Sequence, residues 1–129
     1  MTKNRSIKIG LIVIFVLTIV FHFSVLIGWV PFENVWGGRL KNQQEMLVFE
    51  TFSIILNAFF IVVVLVKSRY LKLKIPPKII TVLLWIMTFL FFLNTIGNLF
   101  AINNLEKYIA TPITFLLGIL CFILAREKA

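Results

Sequence analysis

Four long apolar blocks, separated by short clusters of charged residues, constrain this chain more than any other feature. They cover about residues 7–30, 46–66, 79–102 and 106–125. At a rise of about 1.5 Å per residue, a helix over each block is as long as the ~30 Å hydrocarbon core of a bilayer. The chain is also 60% hydrophobic, whereas soluble proteins have roughly 45–50%. We therefore predict an all-α integral membrane protein, a bundle of four transmembrane helices in a single domain that spans 129 residues.

Basic residues are divided unevenly between the two ends of the predicted bundle. Both termini and the 67–78 loop share one end, which holds Lys3, Arg5, Lys8, Lys67, Arg69, Lys72, Lys74, Lys78, Arg126 and Lys128. The other end, with the 31–45 loop, holds Arg39, Lys41 and Lys107. Because Lys and Arg are retained on the cytoplasmic side, this bias predicts that both termini are cytoplasmic and that the 31–45 loop lies outside. The expected location is a cell membrane, with the bacterial inner membrane as the preferred assignment.

Charge and cysteine content exclude several classes of function. The net charge of +8 comes mainly from residues flanking the spans, which favours anionic lipid headgroups over nucleic acid as a partner. Cys121 is the only cysteine, so the sequence has no internal disulfide or CxxC pair. One histidine with one nearby glutamate is too few for a catalytic zinc, which usually has three protein ligands. We predict neither a metal nor another cofactor.

A few strongly polar side chains lie inside the predicted spans, where hydrocarbon makes them costly unless they face the bundle interior. They are His22, Glu50, Asn57, Asn94 and Asn98. At about 1.5 Å per residue, His22 is ~12 Å below the outer surface, Glu50 ~6 Å, Asn94 ~10 Å and Asn98 ~5 Å. Asn57 lies near the bilayer centre. The polar set therefore occupies the outer half of the bundle.

Helical phase suggests that these side chains meet. Glu50, Ser53 and Asn57 are spaced i, i+3, i+7 on the second helix, and Asn94 and Asn98 are spaced i, i+4 on the third, so each set forms one stripe. We expect one outward-facing pocket lined by His22, Glu50, Asn57, Asn94, Asn98, Thr111 and Thr114, with Trp36 and Arg39 at its rim. The alternative is that the amides and hydroxyls only hold neighbouring helices together.

Two local patterns refine the fold. Asn42 and Asn103 are each followed at the third position by a glutamate, which resembles a helix capping box and raises the idea of two hairpins in parallel repeat. A helix starting at Thr111 would be only about 22 Å long, so the fourth helix must begin earlier and kink at Pro112. That kink removes the hydrogen bond to the carbonyl of Tyr108.

The leading functional hypothesis is binding of a small amphiphilic or lipid-like ligand in the polar pocket, with Glu50 as the anionic contact. A second reading is an accessory or immunity-like subunit that docks on another membrane protein or on further copies of itself. A third is a membrane enzyme in which Glu50 and His22 act as an acid–base pair. No residue is assigned a catalytic role, and enzymatic activity is left open.

Overall fold

A computed structural model describes residues 5–29, 42–100 and 106–127 of the chain. These residues form four α-helices, α1 (Arg5–Leu26), α2 (Gln43–Lys67), α3 (Pro77–Leu99) and α4 (Thr111–Arg126). A π-helical turn, Glu106–Ala110, precedes α4. With part of that turn included, all four helices are long and apolar enough to cross a membrane. The all-helical, four-helix prediction is confirmed, and the described residues contain no strand.

Helix α1 ends earlier than the first apolar block. Gly28 adopts a positive φ of 89°, a conformation that glycine reaches without a steric penalty. This turn lets the Gly28 amide donate to the Val25 carbonyl at 3.1 Å and the Trp29 amide donate to the Ser24 carbonyl at 2.8 Å. The helix is thereby closed in the manner of a glycine C-cap, and it stops at Leu26 rather than near residue 30.

The starts of α2 and α3 follow local sequence signals. The Asn42 side-chain Oδ1 accepts a hydrogen bond from the Glu45 amide at 2.9 Å, which is the N-cap contact expected from the sequence. Pro77 occupies the first position of α3, where a missing N–H costs nothing. The second expected cap, at Asn103, lies outside the described residues.

Helical structure begins before Thr111, as predicted, with one wide π-helical turn that ends at Ala110, and the kink at Pro112 stays a prediction. Such turns absorb the loss of a backbone donor within a longer helix. The Thr114 hydroxyl bonds to the carbonyl of Ala110 at 2.9 Å and lies 3.2 Å from that of Thr111. Thr114 thus satisfies acceptors next to the proline, although not the Tyr108 carbonyl that the sequence suggested.

The four helices form two pairs, because α1 packs mainly on α2 and α3 packs mainly on α4. The pairs meet through a cluster of aromatic rings from three helices. Phe15 lies 5.6 Å from Phe60 and 5.8 Å from Phe91 between ring centroids, and Phe60 lies 5.4 Å from Phe91. Within the second pair, a Cβ at Gly118 would come within 2.7 Å of the Phe92 ring, so this glycine permits the close approach of α4 to α3.

An ion pair and a hydrogen bond define one end of the bundle, called here the basic end. The Lys8 ammonium is 3.0 Å from the Glu127 carboxylate, and Lys67 Nζ donates to the Glu127 backbone carbonyl at 2.7 Å. These contacts bring the start of α1, the end of α2 and the end of α4 together. Elsewhere, large apolar side chains are exposed on all four helices, which is the surface that a surrounding bilayer requires.

Candidate functional site

The candidate site is a hydrogen-bonded pair of ionisable residues between α1 and α2. His22 Nδ1 lies 2.6 Å from Glu50 Oε2, so of the two kinds of partner expected for Glu50, the histidine or an asparagine, the structure shows the histidine. The Glu50 side chain is fully buried, whereas the His22 side chain retains 17% of its accessible surface. The pair therefore reaches the molecular surface through the imidazole, with the carboxyl group behind it.

The second carboxyl oxygen of Glu50 is the least satisfied polar atom in this region. Glu50 Oε1 is buried and has no hydrogen-bond partner. A buried acceptor without a donor costs about 1–3 kcal/mol, and more if it carries charge. Glu50 Oε1 therefore retains the capacity to accept a further hydrogen bond.

The polar stripe of α2 faces the protein interior, with Ser53 and Asn57 also buried. Asn57 Nδ2 donates to the Ser53 carbonyl at 2.8 Å, within the same helix. Thr18 likewise donates its hydroxyl to the carbonyl of Ile14, so it is not the partner of His22. Apart from Glu50, the described bonds of this stripe are internal to α2, which explains its polarity without a ligand.

A second polar group, called here the threonine cluster, consists of Thr95, Asn98 and Thr114 between α3 and α4. Asn98 Nδ2 donates to the Thr114 hydroxyl oxygen at 3.3 Å, and the Thr95 and Thr114 hydroxyl oxygens are 3.1 Å apart. Thr95 also donates to the Phe91 carbonyl at 2.8 Å. These bonds connect the two helices across their interface. The cluster therefore has the character of a packing contact.

The contacts divide the single pocket expected from the sequence between two helix pairs. The described hydrogen bonds of His22 and Glu50 join α1 to α2, whereas those of Asn98 and Thr114 join α3 to α4. Asn94 belongs to neither group, because its side chain is exposed. Thr111 is half-buried at the start of α4. Ligand binding by this set stays a prediction, and the expected rim residues, Trp36 and Arg39, lie outside the described residues.

Two features of the polar architecture escaped the sequence reasoning. The sequence places Lys8 among the basic residues of one end of the bundle and gives no partner for it, but it is buried with 6% exposure in its ion pair with Glu127. Thr95 was overlooked although it is buried beside Thr114. Its spacing of i, i+3 from Asn98 was the available signal.

Comparisons with models of protein families, with curated proteins and with solved structures found no match to this chain. In the part of the chain that the structure describes, no three His, Cys, Asp or Glu side chains lie close enough to hold a metal ion. Among the described residues, the His22–Glu50 pair is a close contact between two ionisable side chains inside the spans. It can accept a hydrogen bond at Glu50 Oε1 and share a proton across the 2.6 Å contact.

Proposed function

We propose that this protein binds a small amphiphilic ligand whose polar head donates a hydrogen bond to Glu50. The observation that carries the proposal is the buried Oε1 atom, which has no partner. A donor delivered there gains a charge-assisted bond in a medium of low dielectric constant, where such bonds are strong. An ammonium or hydroxyl head on an apolar chain combines the donor that Glu50 lacks with a tail suited to the surrounding apolar helices.

The packing of the bundle supports binding from one side of the membrane only. Between the His22–Glu50 pair and the basic end lie Phe15, Phe60 and Phe91, all buried and in mutual ring contact. Apolar packing of this kind gives an ion or a polar head no partner along the helix axes. We therefore favour retention or presentation of a ligand over its transport through a single chain.

Binding should discriminate between head groups when the protein is reconstituted in bicelles with fluorescent alkyl probes of equal chain length. We expect a long-chain amine to bind at least about tenfold more tightly than the matched carboxylate, because a hydrogen bond to a charged group contributes about 1.5–3 kcal/mol. Glu50→Gln should remove that preference while keeping a side chain of the same shape. Fluorescence titration measures both affinities.

The matched control is Glu45→Gln, which changes the other acid near the start of α2 and should leave the preference intact. Circular dichroism should report equal helix content in both variants. Equal amine affinity in wild type and Glu50→Gln would contradict the proposal, as would loss of the preference in Glu45→Gln alone.

A second candidate function is acid–base chemistry on a membrane-soluble substrate. The 2.6 Å contact between His22 and Glu50 favours it, since a buried carboxyl group behind a partly exposed imidazole can hold that ring in a fixed orientation toward a substrate. The ligand experiment separates the two candidates. A binding protein releases its probe unchanged, whereas an enzyme releases an altered molecule that mass spectrometry identifies.

The proposed orientation places the basic end in the cytoplasm of a bacterial cell and the His22–Glu50 pair in the outer half of its inner membrane. The excess of Lys and Arg at the basic end supports this orientation. A label attached at either terminus should resist externally added protease in spheroplasts, whereas a protease site inserted between Gly37 and Gly38 should be cut. Immunoblotting of the fragments measures both, and cleavage at the termini of intact spheroplasts would reverse the orientation.

A further inference from the structure

The exposed amide of Asn94 is at odds with the apolar exterior of the bundle. Asn94 lies five residues before the end of α3 at Leu99, which places it ~8 Å along the helix from that end. Its side chain is exposed, and no described residue forms a hydrogen bond with it. Hydrocarbon offers an amide neither donor nor acceptor, so this position is unfavourable in lipid unless another protein surface covers it.

The surroundings of Asn94 permit a second helix to approach closely. Gly97, one turn further along α3, is exposed, and a Cβ built on it would meet nothing within 4 Å. Leu93 and Ile86 on the neighbouring surface are exposed at 47% and 49%. A small residue beside a polar one, with aliphatic side chains around them, is the composition that drives association of transmembrane helices.

We propose that this surface of α3, defined by Ile86, Leu93, Asn94 and Gly97, binds the same surface of a second copy of the chain. An amide group both donates and accepts a hydrogen bond. Two Asn94 side chains related by a two-fold axis along the membrane normal therefore satisfy each other without any further residue type. Such a contact is isologous, the commonest arrangement in homo-oligomers.

The distribution of charge along α3 also favours a dimer in which the two α3 helices cross at Asn94. The surface defined above carries no ionisable side chain, and the nearest charge on α3 is Lys78 in its first turn. Lys78 lies ~24 Å along the helix from Asn94. Two parallel α3 helices that cross at Asn94 diverge toward Lys78, which keeps the like charges of the two copies apart.

The oligomeric state can be measured on the full chain in liposomes over a range of protein densities, with donor and acceptor fluorophores at the C-terminus. We expect energy transfer that reports a dimer. Asn94→Leu should raise its dissociation constant about tenfold, because two interhelical hydrogen bonds are lost. Asn94→Gln, which keeps an amide, should retain most of the association. Because residue 94 is exposed, these substitutions leave the core unchanged.

Cysteine cross-linking locates the interface. Gly97→Cys should form an intermolecular disulfide on mild oxidation. Val48→Cys is the control, since Val48 is 63% exposed on α2 at a comparable depth, and it should not cross-link. The proposal is overturned if the protein is monomeric at every density, if Asn94→Leu associates as strongly as wild type, or if Val48→Cys cross-links as readily as Gly97→Cys. The proposal is also overturned if the chain purified from native membranes carries a different membrane protein that Asn94→Leu releases.

Discussion

Replacing His22 by leucine is expected to lower the free energy of unfolding by about 3 kcal/mol, the upper end of the cost of leaving a buried acceptor without its hydrogen-bond partner. Glu50 is fully buried, and one of its oxygens already has no partner. Loss of His22 removes the remaining partner and leaves the whole carboxyl group without a donor. Steric trapping in bicelles provides the free energy of unfolding.

The double variant His22→Leu/Glu50→Leu distinguishes a coupled pair from two independent residues. Removing both groups removes the unsatisfied carboxyl group as well, so the double variant should be more stable than His22→Leu alone. Thr18→Val is the control on α1, because among the described residues its hydroxyl bonds only to the Ile14 carbonyl, and it should cost less than about 1 kcal/mol. Additive losses in the double variant would show that the residues stabilise the fold separately.

The sequence was sufficient to predict the four helices, because the length of an uninterrupted apolar block is set directly by bilayer thickness. It was also sufficient to predict the interior stripe of α2, where Glu50, Ser53 and Asn57 recur at helical spacing and are all buried. At that depth in a membrane, a carboxyl group is costly unless it faces the protein interior. The sequence left the partner of Glu50 open between His22 and an asparagine, and the structure places His22 beside it.

The rotation of α3 was not predictable in the same way. Asn94 and Asn98 are one helical turn apart, yet Asn98 joins the threonine cluster whereas Asn94 is exposed. In a soluble protein the apolar face of a helix marks its buried side. Here the lipid-facing and core-facing sides are both apolar, so the sequence pattern gives little indication of which side a borderline position occupies.

The ion pair between Lys8 and Glu127 could not be predicted from the sequence, for a different reason. Glu127, the partner of Lys8, is near the opposite end of the sequence, and the contact exists because α1 begins and α4 ends at the same level of the bundle. A count of basic residues treats each as an independent anchor. In the structure, two of them, Lys8 and Lys67, instead contact the same residue, Glu127, directly after α4.

The two halves of the bundle differ in the side chains that they bury. The half away from the basic end contains the His22–Glu50 pair, with its 2.6 Å contact and its unpartnered acceptor. Towards the basic end, Phe15, Phe60 and Phe91 fill the space between three helices. The proposed access of a ligand to the pair from one side only therefore depends on how tightly these three rings are packed.

Substitution of Phe15 by alanine measures that packing and is expected to cost about 3 kcal/mol of unfolding free energy. Phe15 has 0% exposure and contacts both other rings, so its removal leaves a cavity that two helices would have to move to fill. The loss comes from van der Waals contacts, which hold membrane helices together although lipid is as apolar as the core. The same steric-trapping measurement applies.

Phe23→Ala is the matched control, because it deletes an identical side chain from the same helix at a position that is 53% exposed. Lipid chains can close around the shortened side chain there, so the cost should be below about 1 kcal/mol. Equal losses at the two positions would mean that lipid or water reaches the Phe15 site, and the barrier between the His22–Glu50 pair and the basic end would then be absent. A loss confined to Phe15→Ala would instead support close packing of the bundle between the His22–Glu50 pair and the basic end. A ligand proposed to bind at Glu50 would then enter and leave on the side of His22.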